Sequence, residues 1–148
     1  MSINYFEAAE KLLTSRGSLE ASLKNLARRR ERILARSAPA GYPSPDMSKS
    51  YTSVGAVNDA LAACLELAEV TREIQRTEEV IADVDRVISQ LEPDEREIVQ
   101  LWYIERRSKD EIAEAVNYAS TTSVYDMRNK AVAHFAVLYY GAGALASV

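Results

Sequence analysis

Polar side chains at helical spacing near the C-terminus could form hydrogen bonds with the edges of bases. Apolar residues recur there at intervals of three or four, at Val124, Met127, Ala131, Phe135 and Leu138. This spacing predicts a helix whose other face presents Thr122, Tyr125, Asp126, Asn129 and Lys130, with Thr121 and Arg128 on its flank. A face rich in hydrogen-bonding groups is what reading base edges in the major groove requires. The segment therefore predicts a DNA-reading helix.

A shorter helix is predicted immediately before it. Ser108 is a suitable N-cap, and Glu111 three residues later completes a capping box. Inward-facing positions follow at Ile112, Ala113 and Val116. The small side chain of Ala113 would let two helices cross closely, as they do in a helix-turn-helix motif.

The connection between these two helices is predicted over residues 117–119. Either Ser120 or Thr121 would cap the second helix. Arg107 and Lys109, at the start of the shorter helix, complete the set of candidate DNA-binding residues. Together the pattern predicts a helix-turn-helix motif from Ser108 to Phe135.

Other helices must position this motif, and residues 1–91 predict a helical hairpin. A short helix is expected over Asn4–Leu13, with a break at Gly17 and Ser18. A second helix would end near Arg36 and bury Leu19, Leu23, Leu26 and Ile33. The breaker-rich stretch Ser37–Gly55 is predicted to be a linker or a mobile loop.

A long coiled-coil-like helix is predicted over Ala56–Leu91, which would measure about 50 Å. From Ile74 onward its apolar residues alternate at three and four, with Thr77 in one apolar slot and Ile81, Val84, Ile88 and Leu91 in the others. The second predicted helix is too short to cover this stripe, so part of it is expected to stay open and to dimerise with a second copy. A purely intramolecular hairpin is the alternative.

Pro93 is expected to end the long helix and open the next one, whose first turn contains Asp94, Glu95 and Glu97. The apolar face of that helix is predicted to consist of Ile98, Leu101, Trp102 and Ile104. The domain boundary is therefore expected at residues 91 and 92, with the helix-turn-helix domain and an apolar tail following it.

The helical spacing along the chain predicts an all-α protein, and the composition favours a soluble, cytoplasmic one. The 148 residues are 47% apolar and 27% charged, and a single Cys64 excludes an internal disulfide. The polar start does not resemble a signal peptide. The uncharged stretch of residues 131–148 is interrupted by His134, Gly141 and Gly143, so it is expected to pack rather than to cross a membrane.

Enzymatic and metal-binding chemistry are not expected. The chain has one His, one Cys and no Gly-rich phosphate loop, so neither a cofactor nor a metal site is predicted. His134 lies beside the apolar stripe and is expected to be a packed or surface histidine rather than a general base. The acidic residues Glu78, Glu79, Asp83 and Asp85 are expected to be a solvated helix face rather than a cation site.

Charge is unevenly distributed in this chain of net charge -4. Residues 1–54 contain nine Lys or Arg against five Asp or Glu, whereas residues 106–131 have a net charge of only +1. One copy of the motif should therefore bind DNA weakly, because phosphate contacts supply most non-specific affinity. A second basic surface could come from Arg28, Arg29, Arg30, Arg32 and Arg36, although such a run is more often a solvated face.

The run LEPDEREIVQLWYIERRSKDEIAEAVNYASTTSVYDMRNKA resembles region four of bacterial sigma factors. Within that superfamily the chain is most similar to phage and prophage regulators of the ArpU and RinA type, which share NY..A near the start and a final aromatic-Gly pair, here Tyr140 and Gly141. The chain has one residue more between Ala113 and Val124 than the commonest sigma pattern, which leaves the start of the second helix open by one position.

This resemblance implies base contacts by Thr121, Thr122, Tyr125 and Asp126 and a phosphate contact by Lys130; the helical pattern independently adds Asn129. We therefore expect a sequence-specific phage or prophage transcription regulator that binds double-stranded DNA as a homodimer at the bacterial nucleoid. The alternatives are a sigma-like adaptor that binds RNA polymerase, and a protein that recognises a DNA-packaging site.

Overall fold

The computed structural model describes residues 2–37, 54–117 and 121–148 of the chain. These residues contain helices α1 (Tyr5–Ser37), α2 (Val54–Gln90), α3 (Pro93–Val99), α4 (Lys109–Ala115) and α5 (Thr121–Tyr140), a π-helical turn at Gln100–Ile104 and a 3-10 helix at Gly141–Ala146. No strand occurs in the described ranges, so the predicted all-α class is confirmed. Most of the predicted Pro-rich loop, residues 38–53, lies outside them.

The predicted break at Gly17 and Ser18 is wrong, because α1 continues through both residues. A glycine inside a helix costs only about 1 kcal/mol relative to alanine. Packing on both sides outweighs that cost: Leu13 is fully buried, and Leu23 and Leu26 pack against a second apolar cluster. The chain therefore forms one helix of 33 residues where two short ones were predicted.

The chain forms two compact units. The first unit consists of residues 1–20 and 80–148, so the beginning of α1 belongs with the C-terminal helices. Its core is apolar and includes Leu13, Val84, Leu91, Ile98, Ile112, Val124 and Phe135. Arg16 also donates hydrogen bonds to both carboxylate oxygens of Asp85, at 2.6 and 2.8 Å. A helix distant in sequence thus supports the C-terminal segment.

The second unit comprises residues 21–79, the end of α1 and the greater part of α2. Ile33, Val70 and Ile74 are buried at its centre, with four partly buried apolar side chains around them: Leu23, Leu26, Ala63 and Leu67. On its surface, Arg36 Nη2 lies 2.7 Å from Glu66 Oε2.

The expectation that part of the α2 seam stays open is wrong. Ile74, Thr77, Val84 and Leu91 are all buried, and Ile81 and Ile88 are half-buried. The longer α1 accounts for this, because its residues share both apolar clusters with α2. The large apolar side chains exposed on α2 lie upstream of the predicted seam, at Val57, Leu61 and Leu65, with 57 to 62% of their surface accessible.

The uncharged C-terminal segment folds back into the first unit. Ala131, Val132, Phe135 and Ala136 of α5 are fully buried, as is Ala144 of the 3-10 helix. Among the described helices, none has both the length and the hydropathy that crossing a membrane demands.

Candidate nucleic-acid interface

Helix α4 begins at the predicted capping box, which is confirmed. The amide of Glu111 donates to Ser108 Oγ at 3.3 Å, and the amide of Ser108 donates to Glu111 Oε2 at 3.4 Å. Ile112 is fully buried, and Ala113 and Val116 are half-buried. These contacts fix the start and the inward face of α4.

The chain leaves α4 through a residue in a left-handed conformation, Asn117, which follows the C-cap Val116. Asn117 has φ 57°, a value that asparagine tolerates better than most residues because its short polar side chain can hydrogen-bond locally. The predicted turn residues Tyr118 and Ala119 and the alternative cap Ser120 lie outside the described residues. Helix α5 begins at Thr121 and packs against α4.

The buried face of α5 follows the predicted apolar spacing in its first half. Val124, Ala131 and Phe135 are fully buried, and Met127 is half-buried. The prediction for Leu138 is wrong, since 37% of its surface is accessible. Helix α3 packs against α5, and the fully buried residues of α5 also include Val132 and Ala136 but not Leu138.

Five of the predicted contact residues lie exposed on α5: Thr121, Thr122, Asp126, Asn129 and Lys130. Within the described part of the chain, their side chains have no intramolecular hydrogen bond, ion pair or ring contact. They are therefore available to a partner outside the chain. Their chemistry comprises two hydroxyls, a carboxylate, an amide and an ammonium group, which is a hydrogen-bonding surface rather than a charged one.

The apolar pattern placed Tyr125 on this exposed face, but the structure places it only partly there. Its ring packs edge to face on Trp102, with centroids 5.3 Å apart, and Lys109 Nζ lies 4.7 Å from the Tyr125 ring centroid. The tyrosine is half-buried. Two predicted contact residues, Tyr125 and Lys109, are therefore also packed against each other.

Arg128 is turned inward rather than toward a partner. Its Nη1 donates to Glu10 Oε1 at 2.7 Å, and its guanidinium carbon lies 4.8 Å from the Trp102 ring centroid. Only 17% of the side chain is accessible. This residue links α5 to α1 inside the first unit, so its position does not match the predicted DNA contact.

Tyr103 completes the contact between Arg128 and Glu10. Its hydroxyl donates to Glu10 Oε1 at 3.0 Å and accepts a longer hydrogen bond of 3.4 Å from Arg128. Burial raises the pKa of Tyr103 to about 12, so the hydroxyl stays protonated at neutral pH. Glu10 Oε1 thus accepts hydrogen bonds from two different elements, from Tyr103 in the π-helical turn and from Arg128 in α5.

A depression of roughly 650 Å³ separates the start of α4 from the start of α5. Its lining consists of Trp102, Arg107, Ser108, Lys109, Asp110, Thr121 and Tyr125. Arg107 is about half exposed and lies 3.4 Å from Glu105. The structure therefore brings the predicted cations Arg107 and Lys109 next to the first predicted base contact, Thr121. This arrangement suits a phosphate group beside the exposed face of α5.

The sequence pattern missed the π-helical turn. The amide of Glu105 donates to the carbonyl of Gln100, five residues back, at 2.9 Å. Within this wider turn Tyr103 is buried, while Leu101 and Ile104 are only half-buried. No local sequence signal marks the π-helical turn, and Glu10, the hydrogen-bond partner of Tyr103, lies 93 residues away in the sequence.

The sole histidine is part of a structural contact. His134 Nδ1 lies 2.8 Å from Glu95 Oε1, and Glu95 is 1% exposed. The same oxygen accepts from the amide of Glu92, as the N-terminal cap of α3. In the described ranges no three His, Cys, Asp or Glu side chains come together in a way that could hold a metal ion.

Substituting leucine for Ala113 tests how closely α4 fits the core. Ala113 packs against the main apolar cluster of the first unit. The added side chain should lower the free energy of unfolding by about 1 to 3 kcal/mol through overpacking. Chemical denaturation measures this change, with the exposed Ala115→Leu on the same helix as the control. A variant as stable as the parent would show that Ala113 has room around it.

A family model described as "Protein of unknown function (DUF1492)" matches residues 43–136, which are 94 of the 148 residues. No curated protein and no solved structure matches the chain.

Proposed function

The chain belongs to the DUF1492 family, and we propose that it is a sequence-specific DNA-binding transcription regulator of a phage or prophage. Helix α4 and helix α5 act as the two helices of a sigma region-four-like helix-turn-helix, and the chain regulates by binding rather than by catalysis. The observation that supports this most directly is the set of five exposed side chains on α5 that have no partner among the described residues.

These five side chains provide the donors and acceptors that distinguish base pairs. The amide of Asn129 can form two hydrogen bonds with adenine, and the carboxylate of Asp126 can accept a hydrogen bond from the cytosine amino group. Thr121 and Thr122 can bond to several bases. A good pair of this kind discriminates against a wrong base by about 1 to 3 kcal/mol.

Cations beside this face would hold the duplex. Lys130 lies exposed on α5, and Arg107 and Lys109 line the adjoining depression. Phosphate contacts set the position and register of the protein, but they carry no sequence information. The net charge of +1 over residues 106–131 makes one copy a weak binder. We therefore propose that two copies act together as a homodimer in the bacterial cytoplasm, at the nucleoid.

Alanine in place of Asn129 tests the proposed base contact. Binding sites are first selected from random duplexes with the unmodified chain. Asn129→Ala should reduce the discrimination between selected and scrambled sites by about 5- to 150-fold, because a lost base contact costs about 1 to 3 kcal/mol. Fluorescence anisotropy at fixed salt measures both affinities.

Two further variants separate specificity from general affinity. Asn58→Ala removes an exposed amide on α2 and should leave discrimination unchanged. Lys130→Ala should weaken binding to all duplexes by a similar factor. Tyr125→Phe tests a base contact by the Tyr125 hydroxyl, since alanine would also remove the ring contact with Trp102. If Asn129→Ala discriminates as well as the parent, α5 does not read the sequence through this residue.

A polymerase-binding adaptor is the second candidate. Arg128 and Tyr125 are held by contacts within the chain, with Glu10 and Trp102 respectively. Because fewer side chains then remain for contact with DNA, these contacts favour the adaptor. The adaptor would bind host RNA polymerase without its own DNA site. Capture of purified polymerase by the chain, with no sequence enriched from random duplexes, would support the adaptor against the regulator. Enrichment of one site located in phage packaging DNA would instead indicate a packaging role.

A further inference from the structure

A row of cations lies on the outer face of α1 in the second unit. Lys24, Arg28, Arg32 and Arg36 follow one another at four-residue intervals, and all four are exposed. Side chains four residues apart on a helix lie on the same face, with Cβ atoms about 5 to 6 Å apart. Arg29 flanks the row and is also exposed. The row extends over about 18 Å at 1.5 Å per residue.

Carboxylates of the chain do not neutralise most of this row. Arg36 pairs with Glu66 at 2.7 Å. Among the described residues, no carboxylate forms an ion pair with Lys24, Arg28, Arg29 or Arg32. Two arginines of the first unit are paired, Arg16 with Asp85 and Arg128 with Glu10. On α2, Arg72 and Arg76 also have no ion pair among the described residues, so the α1 row is distinguished by its density of cations. Glu31 lines the same depression as Arg28 and Arg32 but forms no ion pair with either among the described residues, so the row keeps a net positive charge. An anionic partner would relieve the repulsion between its cations.

We infer that this row binds the phosphate backbone of duplex DNA, whatever its base sequence. Guanidinium groups bond to phosphate through two parallel hydrogen bonds, and arginine outnumbers lysine five to one over residues 24–36. A linear row of cations also fits a linear polyanion better than a compact ligand. The inference adds an anchoring surface and does not depend on which bases α5 contacts.

The opposite face of α1 argues against a membrane or a protein as the partner. A helix that lies on a membrane must insert its apolar face. In α1 that face is occupied, since Ile33 is buried with Val70 and Ile74 of α2. The outer row contains no aromatic or large aliphatic side chain, so it lacks the apolar anchors on which protein interfaces rely.

The test measures how binding to a random-sequence duplex depends on salt. The variant is Arg28→Gln with Arg32→Gln, which removes both charges and keeps a polar side chain of similar helix propensity. Each lost phosphate contact reduces the slope of log K against log salt concentration by about 0.9, so the double variant should lose about two. Circular dichroism and chemical denaturation verify that the variants fold as the parent does.

A matched control lies on α2 in the same unit. Arg72→Gln with Arg76→Gln removes two exposed arginines with the same four-residue spacing, from a helix that also contains Glu69, Glu73 and Glu79. Its slope should equal that of the parent. Equal slopes for the two double variants would overturn the inference.

Two other results are also decisive. Binding of the parent to phosphatidylcholine–phosphatidylserine vesicles, lost in Arg28→Gln with Arg32→Gln while the DNA slope is retained, would reject DNA and assign the row to a lipid surface. A reduced slope in this variant, with site discrimination unaffected by Asn129→Ala, would uphold the α1 row and reject the proposed base contact on α5.

Discussion

Replacing Arg128 with alanine should lower the free energy of unfolding by about 2 to 3 kcal/mol, because it leaves the Glu10 carboxylate without its cation. Breaking a fully buried ion pair costs about 3 to 5 kcal/mol. The expected loss is smaller here, since 35% of the Glu10 side chain remains accessible to water. In addition, the Arg128 Nε is buried without a hydrogen-bond partner among the described residues, so the arginine is not ideally satisfied.

A double-mutant cycle isolates this contact. Glu10→Gln, Arg128→Ala and their combination are compared with the parent by chemical denaturation, and the combined loss should be less than the sum of the single losses. Tyr103→Phe tests the remaining donor to the same carboxylate. Additive losses would mean that Arg128 and Glu10 do not interact.

The same variants decide whether Arg128 also contacts DNA. Under conditions where Arg128→Ala is fully folded, we expect its DNA affinity to match that of Glu10→Gln, because both act on the same internal contact. A uniform loss of affinity in Arg128→Ala alone would restore the phosphate contact that the sequence pattern suggested for this residue.

Introducing a carboxylate at Leu61 should convert a dimer into monomers and weaken DNA binding by at least about 100-fold, because half of the phosphate contacts are lost. Val57, Leu61 and Leu65 occupy one face of α2 at four-residue spacing and are more than half exposed. Exposed apolar stripes of this kind mark interaction sites in many proteins. A second copy of the same stripe would cover it symmetrically.

Light scattering and DNA titration measure the two effects of Leu61→Asp. Gln75→Asp is the matched control, since it adds one carboxylate to an exposed position on the same face of α2 without removing an apolar side chain. The seam residues Ile81 and Ile88 are unsuitable, because both are half-buried and acidic substitutions there would disturb the core. A folded monomer of the unmodified chain at micromolar concentration would reject the dimer.

Local features of the sequence were sufficient to predict most helix ends. The capping box at Ser108 and Glu111 depends on contacts between residues three apart, and the proline that opens α3 acts through its own fixed φ and missing N–H. The apolar spacing likewise identified Val124, Ala131 and Phe135 as buried. Such signals are present in a single sequence because backbone geometry alone brings the participating residues together.

Long-range packing decided the rest. The continuity of α1 through Gly17 depends on apolar contacts on both sides of the glycine, and these outweigh a local preference of about 1 kcal/mol. The same contacts bury the α2 seam that the pattern left open. A propensity that acts on one residue cannot compete with a core formed by many.

The candidate interface shows the same division. Helical spacing alone separates the exposed side chains of Thr122, Asp126 and Asn129 from the apolar face of α5. The inward position of Arg128, by contrast, depends on Glu10, which is 118 residues away, and on a π-helical turn that brings Tyr103 into the same contact. An amphipathic pattern records which face of a helix is apolar, but the partner of a charged side chain at the edge of that face is decided only when distant segments meet.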